Sequence, residues 1–73
     1  MNDLTEFNRE KIGERLKELR GERTQSEIAT AIGVTSMAIS QYERGERVPN
    51  DEIKIKISNY FHKGVEEIFF AGK

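Results

Sequence analysis

Fifteen consecutive residues, Ile28 to Tyr42 (IATAIGVTSMAISQY), carry no charge in a chain of 73 residues of which 34% are charged. Thr30, Thr35, Ser36, Ser40 and Gln41 make the stretch too polar for a membrane segment. Its apolar residues Ile28, Ile32, Ile39 and Tyr42 recur at helical spacing on both sides of Gly33. The pattern predicts two short helices joined by a sharp turn, which Gly33 permits because it adopts positive φ at little cost. The second helix then turns small neutral groups outward. An outward face free of Lys and Glu suits a place where long charged side chains would collide or repel, such as the major groove of DNA.

The rest of the chain reads as helix, and the expected fold is all-α. A first helix from an Asn8 N-cap to about Arg20 carries the apolar stripe Ile12, Leu16, Leu19 and ends at Gly21. Thr24-Gln25-Ser26-Glu27 is a capping box that opens the second helix. Thr35 caps the third, which runs to about Arg44, and Gly45–Asn50 is a loop holding the lone proline, Pro49. A fourth helix is expected from Asn50 or Asp51 to near His62, and a short fifth from Val65 to Phe70, burying Val65, Ile68 and Phe69. Ile53-Lys54-Ile55-Lys56-Ile57 alternates with the period of a strand. A lone strand has no partner here, so the segment is read as helix with Ile53, Ile57, Tyr60 and Phe61 inward. Ile55 is left partly outside, available to a dimer contact.

Residues 1–73 are expected to form one domain, with residues 1–7 and 71–73 frayed. There are no cysteines, so neither a disulfide nor a thiolate metal site is expected, and the composition fits the cytoplasm. No apolar run approaches the roughly 20 residues that cross a bilayer, and the N-terminus is not a signal peptide. One His, no Cys and no clustered carboxylates argue against an enzyme and against a metal or other cofactor. His62 reads as a surface or helix-end residue, and Glu66-Glu67 as a solvated face. Net charge is −1, an argument against a polyanionic partner. Residues 9–47 nevertheless hold eight basic side chains against seven acidic, and the flanks four against six. A locally positive rim, rather than a basic protein, is what binding needs.

The order Gln25, Ile28, Ala29, Ile32, Gly33, Val34, Ile39, Tyr42 has a physical logic. Ala29 is small so that two helices can cross steeply, Gly33 turns the chain, and the apolar set fixes the third helix across the second. Together with IGERLKELR before it, and ERGERVP and VEEIF after it, this stretch resembles the helix-turn-helix domains of phage repressors and Cro proteins, the xenobiotic-response-element type. The resemblance spans residues 12–69. It implies a compact five-helix, lambda-repressor-like bundle that binds double-stranded DNA as a homodimer on a palindromic operator, with no small-molecule ligand.

Carried over by position, the resemblance makes Gln25 and Thr35 phosphate contacts, joined by Arg44 and Arg47 beside the following loop. Ser36, Met37, Ser40 and Gln41 fall where bases are read. Arg20 and Glu43 match a structural ion pair, beside the structural Ala29 and Gly33. The chain departs from the family in the short connection Gly21-Glu22-Arg23 and in His62, where glycine is usual. Chemically, Met37 and Ala38 suit a thymine methyl, and Gln41 suits a bidentate pair with adenine, which favours A·T pairs at the contacted positions. The alternative is a protein-interaction module, antitoxin-like or partner-binding, on the same scaffold with weak or no DNA binding.

Overall fold

The computed structural model describes residues 3–70, with side chains from Arg9 onward. Its elements are α1 (Asp3–Arg20), α2 (Gln25–Ile32), α3 (Ser36–Glu43), α4 (Asp51–Phe61) and a closing turn wound as π-helix, α5 (Glu66–Phe70). The described residues are all-helical, as the sequence predicts. Of the residues expected to be frayed, 1–2 and 71–73 lie outside the described residues, whereas 3–7 belong to the first helix.

One boundary differs clearly from expectation. The first helix starts at Asp3, so Asn8 is an interior residue rather than a cap. The five added residues contain neither Gly nor Pro, so no helix breaker stops the helix short of Asp3. The other caps fall where sequence puts them. Thr24 Oγ1 accepts from the Glu27 amide at 3.0 Å while the Thr24 amide donates to Glu27 Oε1 at 3.0 Å. Thr35 Oγ1 accepts from the Ala38 amide, and Asn50 Oδ1 from the Ile53 amide. The alternating Ile-Lys segment is helical, because the Asn50 cap and the acidic first turn of Asp51 and Glu52 favour that state. Ile57 is buried, Ile53 packs on the core, and Ile55 is 54% exposed.

The core is shared by all five elements: Ile12 and Leu16, then Ile28, Ala29 and Ile32, then Ala38, Ile39 and Tyr42, with Ile57 and Ile68–Phe69 closing it. The turn between α2 and α3 rests on Gly33, whose φ of 80° is left-handed. Gly33 and Val34 both donate to the Ala29 carbonyl, at 2.8 and 2.9 Å. A Cβ on Gly33 would meet nothing, so the backbone angle, rather than space, requires the glycine.

Gly13 answers to the opposite constraint. It lies mid-helix in α1, where that helix comes against the end of α3. A Cβ there would lie 2.7 Å from the Tyr42 carbonyl oxygen and closer still to that of Glu43. At the end of α4, His62 holds φ 58°, and its amide donates to Ser58 and Asn59. This left-handed position is strained for any residue with a Cβ.

Two substitutions separate these constraints. Gly13→Ala should destabilise the protein by at least about 1 kcal/mol, because overpacking outweighs the gain in helix propensity. His62→Gly should stabilise it by about 0.5–1 kcal/mol as the strain is relieved. Denaturant unfolding of the full chain checks both.

Candidate nucleic-acid interface

Helix α3 is eight residues long, and its two faces are sharply divided. Ala38, Ile39 and Tyr42 are buried, at the i, i+1, i+4 spacing of one side. Ser36 and Met37 are exposed, Met37 by 67%, and Ser40 and Gln41 are half-buried on the rim. The four base-reading candidates thus all reach the surface. Ala38 does not: it is 7% exposed, so its place as an apolar contact for thymine is corrected. The residue shares a side of the helix with Ile39 and Tyr42, and the core claims it.

The orientation of α3 is set by a polar lock at its C-terminal end. Arg20 of α1 grips Glu43 with two hydrogen bonds, Nε to Oε2 at 2.7 Å and Nη2 to Oε1 at 3.0 Å. The Gln25 amide, from the first residue of α2, donates to the same Oε1 at 3.0 Å. The Glu43 side chain is only 5% exposed. Its hydrogen bond holds the Arg20 guanidinium above its ordinary pKa. The third Arg20 arm, Nη1, donates to the Arg23 carbonyl and so ties down the short α1–α2 connection. Arg23 in turn caps α1 through the Leu19 carbonyl and stacks over the rings of Tyr60 and Phe61. The expected Arg20–Glu43 pair is present. Gln25 as its third member is visible only in the structure, because sequence spacing alone does not bring residues 25 and 43 together.

Beyond α3 the two arginines expected at the rim have partners. Arg44 makes paired hydrogen bonds to Glu46, 2.9 and 3.1 Å, and a third to Ser40 Oγ, 2.5 Å. The Arg44–Glu46 pair is exposed, and its mutual hydrogen bonding lifts the Arg44 pKa and lowers that of Glu46. Such a pair is worth little in water and is readily exchanged for another partner. Arg47 donates to Gln41 Oε1 at 3.2 Å and sits 5.7 Å over the Tyr42 ring. Sequence reasoning missed Glu46. The signal was there: a carboxylate two residues after Arg44, across the turn at Gly45.

Thr35 is exposed and uses its hydroxyl oxygen as the α3 cap. The first amides of α3, at Ser36 and Met37, have no partner within the helix and carry the positive end of its dipole. The face as a whole is therefore small and neutral, with Arg44 and Arg47 at its C-terminal end. Among the described residues, no group of His, Cys, Asp or Glu comes together as a metal site, and no helix is long and apolar enough to cross a membrane.

The helix-turn-helix family model matches residues 16–68, which includes α2, the turn and α3. The chain belongs to the phage repressor and Cro type of helix-turn-helix family. Among solved structures, it is similar to the phage P22 c2 repressor in complex with synthetic operator 9T, at 30% identity and a TM-score of 0.78. That likeness covers 81% of this chain and 92% of the repressor chain. No curated protein matches the chain closely enough to count as a relative. Within the helix-turn-helix frame, Arg20, Gln25 and Glu43 are the polar fastening between the scaffold and the outward helix.

Removing Arg20 tests that fastening. Arg20→Ala leaves the buried Glu43 carboxylate with Gln25 alone, and should cost about 3 kcal/mol of stability in urea unfolding. Arg23→Ala, which removes only exposed contacts, should cost less than about 1 kcal/mol by the same measurement.

Proposed function

We propose that this protein is a sequence-specific double-stranded-DNA-binding transcriptional regulator, a repressor of phage, plasmid or mobile-element type that acts as a homodimer on a palindromic operator in the cytoplasm. The observation that carries the reading is the divided helix α3: one side buried against α1 and α2, the other neutral, short and outward, with two arginines just past its C-terminal end. The operator-bound P22 c2 repressor, similar over 92% of its chain, supports it.

In this reading α3 enters the major groove. Ser36, Met37, Ser40 and Gln41 face base edges, and the rim residues position the domain without reading sequence. Gln25 has a second amide hydrogen beyond the one given to Glu43, and this contacts a phosphate from the start of α2. The Thr35 hydroxyl hydrogen and the guanidinium of Arg47 contact further phosphates. Arg44 does so by exchanging Glu46 for a phosphate, a swap between solvated partners.

Dimerisation is supported by an open apolar depression away from α3. Ile55 and Phe70, 54% and 43% exposed, share it with Val65, beside Asp51 and Lys54. A second copy meeting this patch across a two-fold axis buries both apolar residues and sets Asp51 near Lys54 of its mate. The dimer would hold its two recognition helices about 34 Å apart, one turn of DNA.

The test is selection of bound duplexes from a random library, followed by a salt titration on the winner. The proposal expects a two-fold symmetric site with half-sites about one helical turn apart. It also expects log affinity to fall linearly with log salt, with a slope of about −0.9 per phosphate contacted. Negligible binding to every duplex would instead favour the protein-interaction module.

A further inference from the structure

Two of the side chains proposed to face bases are already hydrogen-bonded, each by an arginine. Arg47 Nη1 donates to Gln41 Oε1 at 3.2 Å, and Arg44 Nη1 donates to Ser40 Oγ at 2.5 Å. A guanidinium has five N–H donors and no acceptor. The Gln41 atom that faces Arg47 must therefore be its oxygen, and the Nε2 amide is the end left for another partner. By the same logic Ser40 is the acceptor toward Arg44, so its one hydroxyl hydrogen is left to donate.

Of the two arginines, Arg47 is the more firmly seated. The Arg47 guanidinium rests over the ring of Tyr42, itself 3% exposed and fixed in the core. A cation over a ring held in that way has a preferred seat. Arg44 has only its solvated, exchangeable pair with Glu46. Arg47 gives one of its five donors to Gln41, so four remain for a phosphate. It can grip the backbone without releasing Gln41.

We infer that Arg47 is a positioning residue that fixes the hydrogen-bond polarity of Gln41, so that the recognition face reads guanine rather than adenine. The inference rests on the DNA-binding function proposed above and deepens it. Bidentate pairing with adenine needs Gln41 to donate to N7 and to accept from the N6 amino group. The accepting oxygen is the one that Arg47 engages through one of its two lone pairs, and that bond sets the direction in which the amide faces. Guanine alone among the four bases presents two acceptors, N7 and O6, in the major groove. The two donors left over, the Gln41 amide and the Ser40 hydroxyl, match that edge. This reverses the A·T preference that Gln41 suggests when read without its partner.

The experiment is selection from a random duplex library with the full chain and with Arg47→Met and Arg47→Lys. It is run at low ionic strength, so that loss of one phosphate partner does not abolish binding. In parallel, side-chain couplings of Gln41 are measured by NMR in the free proteins. The natural chain should enrich guanine at one position of each half-site and show a single Gln41 rotamer. Arg47→Met should shift that position toward adenine by at least about fivefold, the lower end of what one bidentate base contact discriminates, and should average the rotamers. Arg47→Lys, which restores a donor, should keep guanine.

Adenine selected by the natural chain, guanine retained in Arg47→Met, or averaged Gln41 rotamers in the natural chain would each overturn the inference while leaving DNA binding intact. If Arg47→Met enriches no duplex, its Gln41 rotamers decide: averaging supports the inference, and a single rotamer overturns it. Enrichment of no duplex by the natural chain would overturn the DNA-binding reading and this inference with it.

Discussion

The Glu43 carboxylate is the joint on which the rest of the structure depends. It ends α3, it is almost wholly buried, and it receives Arg20 from α1 and Gln25 from α2. Apolar contacts among Ile28, Ala29, Ile39 and Tyr42 hold the helices together, but they are forgiving of small rotations. Directional bonds to one buried carboxylate are not. A hydrophobic replacement of similar volume would often be as stable, so the contribution of such a lock is better understood as orientation than as free energy. Gly13 belongs to the same joint. By presenting no side chain it lets α1 come against the carbonyls at the end of α3, where Arg20 can then reach Glu43.

Once α3 is fixed, the charge gap in the sequence acquires a meaning. The buried half of the helix needs apolar residues for packing. The outward half also lacks Lys, Arg, Asp and Glu, although solvent would accept them. The cations stand instead just past the helix end, at Arg44 and Arg47, and each touches a polar side chain of the outward face. The neutral polar groups of the outward face and the two cations beside it are therefore one hydrogen-bonded assembly. A weakly acidic chain can present such an assembly, because what meets the partner is the local rim and not the net charge.

Much of this was legible in the sequence. The capping box at Thr24–Glu27, the caps at Thr35 and Asn50 and the turn at Gly33 are local signals, settled within a few residues by backbone chemistry. The apolar stripe placed Ile12, Leu16, Ile39 and Tyr42 correctly because helical periodicity is also local. The Arg20–Glu43 pair came through family resemblance rather than from spacing. What escaped depends on elements meeting in space. Gly13 reads as a weak point in a helix until the end of α3 is set beside it. Ala38 is as small as a surface residue needs to be, and only the packed helix shows it facing the core. Gln25 and Gln41 are exposed polar residues by composition, and each is in fact held by a partner distant in sequence.

The central claim is that the locked, neutral face of α3 is the surface that meets DNA. An NMR titration of the full chain with its selected duplex tests it most directly. The account predicts that the large amide shifts fall on Thr24–Ile28 and Thr35–Arg47, and that they disappear as salt is raised. Shifts concentrated on α4 and α5, with Ser36 to Gln41 unmoved, would contradict it.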